Sequence, residues 1–537
     1  MKILIAAALL AGAAPALAQT VTVPAGTIEG VSERGLTIYR GIPYAQAPVG
    51  PLRWRPPAPL PAWQGVRKAT TFGPACVQPR ERNLGIYTNP PRQVSEDCLT
   101  LNVWAPKAAK GLPVLVWIHG GALVSGFSHE QMYDAAKMAG TGLVVVSINY
   151  RLGILGYLAH PELSAESADG TSGNYGLRDQ IAALEWVKRN IAGFGGDPAN
   201  VTIAGESAGA LSVMYLMASP AARGLFARAI AQSGYMVSTP ELKRAAHGSP
   251  SAETIGTTTA TALGARDLAA LRAMDATRLA STALAKGYIP WGTIDGRLLT
   301  RQLVETWDRG EQAPVPLIAG FNAGEVRSMR VLLPPAPADA AAYDATIRAR
   351  YGDLADPFLR LYPATSIGES MLATTRDALY GWTSQRLAIG QTAIGQRGYL
   401  YLFDHGYPAA DDLGLHAFHA SEIPYVFGTA DRTPPMWPKV PDMPTERRLS
   451  EAMLSYWTAF AKTGTPAAAG QAAWQPYGQD GHYMAFVAKP EARRRLMPGM
   501  FALHEAAVCR RRAAGDQPWG FNTGLASPVL AKTAGCK

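Results

Sequence analysis

The chain has 537 residues, of which 48% are hydrophobic and 17% charged, and its formal net charge is +9. This composition is typical of a globular protein and excludes a disordered or fibrous chain. Basic residues are scattered, with short runs only at 493–495 and 510–512, and neither run is interleaved with aromatic residues. We therefore predict a solvated basic surface and no nucleic-acid partner.

The first residues have the layout of a secretory signal. Lys2 precedes an apolar run over residues 3–14, and the sequence Pro-Ala-Leu-Ala that ends at Ala18 is a typical cleavage site. The apolar run is shorter than the ~20 residues that a membrane-spanning helix needs, and no later segment reaches that length. We predict a signal peptide over residues 1–18 and an exported mature chain, periplasmic or extracellular, without a membrane span.

The N-terminal part of the mature chain contains few helical patterns. Residues 21–39 indicate a small hairpin, and residues 41–61, rich in Pro and Gly, indicate extended chain and turns. The cysteines are Cys76, Cys98, Cys509 and Cys536. An oxidising compartment favours disulfides, and we favour the two local pairings, Cys76 with Cys98 and Cys509 with Cys536. Their spacing does not suit zinc and no histidine accompanies them, so we expect no metal site.

From residue 114 onward, short β-branched runs alternate with helical stretches, which is typical of an α/β protein with a mostly parallel sheet. The predicted strands cover residues 114–118, 143–149, 201–205, 317–319 and 399–403. A predicted helix over residues 180–191 places Ile181, Leu184, Val187 and Ile191 on one face. We find no repeat and no linker, so we predict one large domain over residues 19–537.

The nucleophile motif is Gly-Glu-Ser-Ala-Gly at residues 205–209. It follows the buried-strand pattern of residues 201–205 and precedes a helical pattern, and this context places a serine on a sharp strand-to-helix turn. We predict that Ser207 is the nucleophile. Glu206, next to the nucleophile, has two interpretations: it contributes to the electrostatics of the site, or its role is purely structural.

An oxyanion hole is predicted from a second motif, His-Gly-Gly-Ala at residues 119–122, which leaves the predicted strand 114–118. Acyl transfer needs backbone N–H donors aimed at the developing oxyanion, from a Gly-rich loop of this type and from the residue after the nucleophile. We assign this role to Gly121, Ala122 and Ala208.

The general base and its acid partner follow the serine along the chain in this arrangement. His419 lies in a loop after the predicted strand 399–403, and His416 in the same loop is its rival. Glu325 lies a few residues beyond the predicted strand 317–319, with Asp308 and Asp295 as alternatives. A buried carboxylate in this position would orient the imidazole and stabilise the imidazolium.

Further segments resemble the type-B carboxylesterase family, which includes the cholinesterases, over about residues 21–477. The segments are YRGIPYA at 39–45, EDCLTLNV at 96–103, NYRLG at 149–153, NYGLRDQ at 174–180, FGGDP at 194–198 and QSG at 232–234. The resemblance implies the α/β-hydrolase fold and a triad of Ser207, Glu325 and His419, since His419 has the family's spacing before Ile423. It also implies the same oxyanion donors, a Cys76 to Cys98 disulfide, and no cofactor.

This sequence departs from the family in three places. Ala122 stands where the family often has a third glycine, and Gly324 stands where it has an acidic residue. The loop between the first two cysteines has no tryptophan and only Tyr87 as an aromatic, whereas cholinesterases use a tryptophan there for cation–π binding of quaternary ammonium. We therefore do not expect choline esters as substrates.

The function that follows is a serine carboxylic-ester hydrolase that acts through an acyl-enzyme intermediate on small to medium uncharged esters. Tyr288, Trp291 and Phe127 are aromatic candidates for the substrate pocket. Two alternatives stay open at this point: a catalytically inactive adhesion protein on the same scaffold, and a lipase that acts at oil interfaces.

Overall fold

A computed structural model describes residues 18–79 and 85–536. The predicted signal peptide lies outside these residues, apart from Ala18, which begins the first strand. The strands are β1 Ala18–Val23, β2 Gly26–Glu33, β3 Leu36–Pro43, β4 Val66–Lys68, β5 Ala75–Cys76, β6 Val94–Ser95, β7 Thr100–Pro106, β8 Leu112–Ile118, β9 Val144–Ile148, β10 Gly196–Glu206, β11 Arg228–Gln232, β12 Leu317–Asn322, β13 Gly398–Phe403, β14 His482–Phe486 and β15 Pro490–Arg494.

The α-helices lie between and after these strands. They are α1 Ala136–Gly140, α2 Gly153–Tyr157, α3 Pro161–Glu166, α4 Tyr175–Asn190, α5 Ala208–Ala218, α6 Ala252–Ala262, α7 Leu268–Ala273, α8 Ala276–Ala285, α9 Leu303–Asp308, α10 Ala340–Tyr351, α11 Ala355–Leu361, α12 Ile367–Arg376, α13 Trp382–Ala393, α14 Pro408–Asp411, α15 Ile423–Phe427, α16 Pro444–Thr463 and α17 Met500–Ala514. A π-helical turn, Asp377–Gly381, joins α12 to α13. Within the described ranges, no helix has the length and apolarity to cross a bilayer.

One large sheet organises the fold, in the order β1-β2-β3-β7-β9-β8-β10-β11-β12-β13-β14-β15. In this order the strands from β9 to β14 pair in parallel, and the strands along both ends pair antiparallel. β4 joins the sheet beside β2, in parallel with it. The predicted parallel sheet is therefore confirmed, and each strand predicted from residue 114 onward lies in β8, β9, β10, β12 or β13 to within a few residues. The carboxyl ends of the parallel strands meet at one edge, where ligands of such sheets bind.

Helices cover both faces of this sheet. In β8, Val114, Val116 and Ile118 face one core cluster, which α4 and α5 complete, while Leu115 and Trp117 face a second cluster with α16. This alternation follows from the two-residue period of a strand, and burial on both faces explains the continuous apolar runs in the sequence.

Two elements extend beyond their predicted bounds. The predicted hairpin at residues 21–39 is part of a longer antiparallel unit, because β3 continues to Pro43 and pairs with β7 of the main sheet. The predicted helix 180–191 begins earlier, at Tyr175, because the buried Tyr175 and Leu177 add a turn that packs on the core.

Both predicted disulfides are present. Cys76 is bonded to Cys98, and Cys509 is bonded to Cys536. The first closes the loop that carries Tyr87, and the second ties α17 to the last residues that the structure describes.

Candidate active site

Ser207 occupies a sharp turn between β10 and α5. Its φ of 56° and ψ of −120° are unusual for a residue with a side chain, and such strained backbone concentrates at functional sites. Its amide donates to the Gln232 carbonyl at 2.9 Å. A Cβ on Gly209 would lie 2.1 Å from the Ile118 carbonyl oxygen, so only glycine lets the helix pack this closely on β8. The predicted strand–turn–helix context of Ser207 is therefore observed.

The loop of the predicted oxyanion hole lies beside this turn. An ideal Cβ built on Gly120 would be 3.3 Å from Cβ of Ser207, so the loop backbone touches the serine. Gly121 and Ala122 have φ values of 102° and 57°. Across the described ranges, neither of their amides donates to a protein acceptor. Ala208 is the first residue of α5, so its amide has no acceptor within the helix. The three amides are thus available to an oxyanion.

Buried polar contacts fix the shape of this loop. The Gln78 side-chain amide brackets Gly126, donating to its carbonyl and accepting from its amide at 3.0 Å each. The His119 ring is 2.8 Å from the Gly120 carbonyl, to which Nδ1 donates, and the Tyr150 hydroxyl donates to the His119 carbonyl. Burial lowers the pKa of His119 to about 4, so the ring is neutral and serves as a packing residue.

Glu325 and His419 are in contact. Nδ1 of His419 makes a short hydrogen bond to Oε2 of Glu325, and both side chains are buried. The other oxygen of Glu325 accepts from the Asn322 amide at 2.8 Å. The Gly324 amide donates to the Ala417 carbonyl at 2.7 Å, which joins the loop after β12 to the loop that carries the histidine. Glu325 therefore holds the imidazole in a fixed orientation.

Gly324 stands where the family often has an acidic residue, and close backbone contacts explain the glycine. A Cβ there would lie 2.6 Å from the Leu415 carbonyl oxygen and 2.8 Å from the Ala417 carbonyl oxygen. Any side chain would have to displace the histidine loop.

The alternative candidates for base and acid lie in other environments. His416 pairs with Asp404 and Asp411 and its side chain is 41% exposed. Asp308 forms ion pairs with arginines, and Asp295 accepts hydrogen bonds from the backbone amides of the turn that follows it. None of them contacts Glu325 or His419.

Glu206 contacts the other side of the imidazole. Its Oε1 lies 3.1 Å from Nε2 of His419, and the carboxyl is buried. Burial raises the pKa of Glu206 to about 8. Burial alone would lower the pKa of His419, but the carboxylates of Glu206 and Glu325 outweigh it and raise that pKa to about 9.

Nε2 of His419 thus faces the side chain next to the nucleophile. In the part of the chain that the structure describes, no hydrogen bond joins the Ser207 hydroxyl to His419. Catalytic hydrogen bonds are often long in a site without substrate and tighten when substrate binds. A movement of Nε2 of His419 from Glu206 to the neighbouring Ser207 hydroxyl would complete the hydrogen-bonded triad.

Sequence reasoning missed Glu422, which supports the site from behind. This fully buried carboxyl accepts from the side-chain amides of Gln232 at 2.9 Å and of Asn322 at 2.6 Å. Burial raises its pKa. The network ties the ends of β11 and β12 to the histidine loop. A carboxylate three residues after His419, within an otherwise apolar run, was the signal that could have indicated it.

Tyr87 closes the site from the disulfide loop. Its hydroxyl donates to the His419 carbonyl at 2.8 Å and lies 2.6 Å from the Ser328 hydroxyl. The Tyr87 and His419 ring centroids are 6.4 Å apart, in an edge-on arrangement. The only aromatic residue of this loop therefore holds the backbone of the histidine.

The three aromatic pocket candidates lie in different places. Tyr288 is buried in a separate cluster with Trp54, and Phe127 packs on His129. Trp291 contacts Tyr235, with ring centroids 6.3 Å apart.

Comparison with known proteins identifies the family of the chain. The chain matches the carboxylesterase family over residues 17–501. It is 36% identical over 486 residues to the fumonisin B1 esterase of Sphingopyxis macrogoltabida, covering 86% of this chain and 85% of that protein. It is also 36% identical over 457 residues to the para-nitrobenzyl esterase of Bacillus subtilis strain 168, covering 83% and 90%.

Solved structures extend the agreement to the fold. A carboxylesterase of Geobacillus stearothermophilus superposes with a TM-score of 0.77 at 33% identity, covering 90% of this chain and 99% of that chain. A PNB esterase structure gives a TM-score of 0.76 at 32% identity, covering 89% and 97%. The α/β-hydrolase fold is confirmed. The chain belongs to the carboxylesterase family and is a serine hydrolase of carboxylic esters.

Proposed function

We propose that Ser207, His419 and Glu325 are the catalytic triad of this esterase and that Gly121, Ala122 and Ala208 form its oxyanion hole. The observation that carries the proposal is the pair of contacts that His419 makes. Its Nδ1 bonds to Glu325, and its Nε2 contacts Glu206, the residue that precedes Ser207. Ser207 and Glu325 lie just beyond the carboxyl ends of β10 and β12, and His419 lies in the loop that follows β13, although the residues are far apart in the sequence.

In the acylation step, Nε2 of His419 accepts the proton of the Ser207 hydroxyl as the oxygen attacks the ester carbonyl carbon. The carbonyl π electrons move to the oxygen, and the amides of Gly121, Ala122 and Ala208 donate to this oxyanion. Glu325 stabilises the imidazolium. The tetrahedral intermediate then expels the alcohol oxygen, which takes the proton from Nε2 and leaves an acyl-serine.

Deacylation repeats these steps with water. His419 removes a proton from a water molecule, whose oxygen attacks the acyl carbonyl carbon, and Ser207 leaves with the proton from Nε2. The acid is released and the free serine is restored.

The substrates that we propose are small to medium uncharged esters. The buried carboxyls of Glu206 and Glu325 contact the two nitrogens of the imidazole, and negative charge on them disfavours an anionic ester there. The disulfide loop supplies no tryptophan to bind a quaternary ammonium group, and its Tyr87 hydroxyl is engaged by His419 and Ser328.

Pre-steady-state kinetics tests the proposal. With p-nitrophenyl butyrate, we expect a burst of p-nitrophenol equal to the enzyme concentration, followed by slower turnover. Ser207→Ala should abolish the burst, and Ser455→Ala, on the outer face of α16, should retain it. A burst of unchanged size in Ser207→Ala would refute the assignment.

We also propose that the chain is exported to the periplasm or the extracellular space. Two disulfides and the predicted signal over residues 1–18 support this location. Expression of the full sequence in a Gram-negative host, with N-terminal sequencing of the secreted or periplasmic protein, should give a chain that begins at Gln19. A protein that keeps Met1 and stays in the cytosol would contradict this proposal.

A further inference from the structure

We propose that residues 515–524 form the outer wall of the ester pocket and that Phe521 packs against an aromatic group of the preferred substrates. The inference rests on the proposed active site. It concerns a part of the chain beyond residue 501, where the match to the carboxylesterase family ends.

A continuous row of aromatic rings leads from the catalytic histidine to this segment. The Tyr380 ring lies 5.4 Å from the ring of His419, and the Tyr235 ring lies 6.0 Å from that of Tyr380. Phe521 then contacts Tyr235 at 6.5 Å and Trp291 at 6.3 Å. All of these distances are within the range of aromatic pairs in protein cores. We call Tyr235, Trp291, Tyr380 and Phe521 the aromatic wall.

The elements that carry this wall also build the active site. Tyr235 comes three residues after Gln232, whose carbonyl accepts from the Ser207 amide. Tyr380 lies in the π-helical turn, and such turns occur frequently at functional sites. The wall is therefore anchored to the end of β11, which pairs with the end of β10 that precedes the nucleophile.

The C-terminal segment is held against this region by its backbone. The Ser238 amide donates to the Trp519 carbonyl at 3.0 Å, three residues after Tyr235, and the His247 amide donates to the Gly515 carbonyl at 3.1 Å. The Trp519 side chain is buried and meets the His247 ring edge-on at 4.9 Å. These contacts fix the position from which the Phe521 side chain extends.

Helix α17 and the second disulfide hold the other side of the segment. Arg511 is buried and donates to the Asn522 carbonyl at 2.7 Å and to the Ser527 hydroxyl at 2.9 Å. The Cys509–Cys536 bond closes the chain around these contacts. The basic run at 510–512 thus has internal partners, which include Asp353 for Arg510.

Phe521 is the outermost member of the aromatic wall and keeps 40% of its surface exposed, whereas Tyr235 and Tyr380 are buried. A single exposed phenylalanine needs no explanation by itself. This one, however, continues a buried row of rings that ends on the catalytic histidine, and its segment lies inside the loop closed by the Cys509–Cys536 disulfide and is held by the buried Arg511. A planar apolar group of an ester extending from Ser207 along the row would meet the free face of Phe521.

Paired ester series test the inference with the complete chain. One series varies the acyl group with a constant leaving group, p-nitrophenyl acetate against p-nitrophenyl benzoate. The other varies the alcohol, ethyl acetate against benzyl acetate. We expect Phe521→Ala to lower kcat/KM about 10-fold for the aromatic member of one series, mainly through KM. That series assigns the side of the ester that contacts the wall.

Matched controls separate substrate contact from structural support. Ethyl acetate, which has no aromatic group, should keep its kcat/KM within about twofold in Phe521→Ala, because neither its acyl group nor its alcohol group reaches the wall. Val529→Ala, a change at a 61% exposed residue of the same C-terminal part, should leave both ratios unchanged. Phe521→Leu should show a smaller loss than Phe521→Ala, and the thermal midpoints of all variants should agree.

Three outcomes would overturn the inference: unchanged ratios in both series, an equal loss for every ester, or faster hydrolysis of the aromatic esters in Phe521→Ala. A failure of the proposed active site is distinguishable, because the native enzyme would then give no Ser207-dependent burst with p-nitrophenyl acetate.

Discussion

Replacement of Glu206 by Gln should move the acidic limb of the pH–rate profile to lower pH. His419 must be neutral to accept the Ser207 proton, so activity is lost as the pH falls through the pKa of the pair that it forms with Glu206. The Glu206 carboxyl lies 3.1 Å from Nε2 and is one of the groups that raise the pKa of His419 to about 9. The amide of glutamine has a similar shape but no charge, so the imidazole should lose its proton at lower pH.

The size of this effect follows from the distance. Two unit charges 3.1 Å apart interact by roughly 1 to 5 kcal/mol for effective dielectric constants between about 80 and 20. Burial raises the pKa of Glu206 to about 8, so its carboxyl is only partly ionised near neutral pH and only a fraction of the larger energy is expressed. The expected displacement of the limb is therefore about one pH unit.

The assay is kcat/KM as a function of pH for an uncharged aliphatic ester, followed by titration of the released acid. Glu185→Gln makes the same chemical change at an exposed glutamate of α4 that pairs with Arg189, and it should leave the profile unchanged. A Glu206→Gln profile whose limb stays in place or moves to higher pH would refute the reasoning. Other groups also face the imidazole, and neither substitution replaces them: Glu325, Glu422, Tyr87 and Tyr380.

Three further predictions concern the supports of the site. Gly324→Ala should lower kcat by about 100-fold with a smaller change in KM, because the new Cβ must displace the loop that carries His419; steady-state kinetics will show this. Tyr87→Phe should lower kcat by about 10-fold, since it removes a hydrogen bond of about 1 kcal/mol to the His419 carbonyl, and a change of pH should not restore the lost activity. Replacing both Cys509 and Cys536 by serine should destabilise the loop that they close by about 3.5 kcal/mol, given their sequence separation of 27. Hydrogen exchange at residues 515–524 measures this loss.

Each of these predictions has an outcome that contradicts it. Native kcat in Gly324→Ala would show that the loop yields without moving the histidine. A Tyr87→Phe enzyme with native kcat would show that the backbone contact is dispensable. Unchanged exchange after disulfide removal would show that the remaining contacts of residues 515–524 hold the segment without the disulfide.

The parts of the site that the sequence predicts are those encoded by neighbouring residues. The turn at Ser207 and the loop at Gly121 each follow a strand pattern directly. The close contact of Gly209 with β8 requires a glycine, and this glycine is part of the nucleophile motif. The choice of His419 over His416 depended on the family's spacing, because both lie in one loop. The structure separates them by their partners, Glu325 for one and exposed aspartates for the other.

Other features depend on pairs distant in the chain, which local patterns do not encode. Glu422 acts through Gln232 and Asn322, which are 190 and 100 residues away. The contact of Glu206 with His419 joins the end of β10 to the loop after β13, with two strands between them in the sheet. The position of Phe521 depends on how α17 and its disulfide return the chain to residue 238. Each of these required the three-dimensional arrangement.

Covalent labelling tests the central claim, that Ser207 is the nucleophile, most directly. The account predicts that diethyl p-nitrophenyl phosphate adds one diethylphosphoryl group per chain, with release of p-nitrophenol, and that intact-mass and peptide analysis place it on Ser207. His419→Ala should slow the labelling, and Ser207→Ala should abolish it. A label on another residue, or equal labelling of the Ser207→Ala variant, would contradict the account.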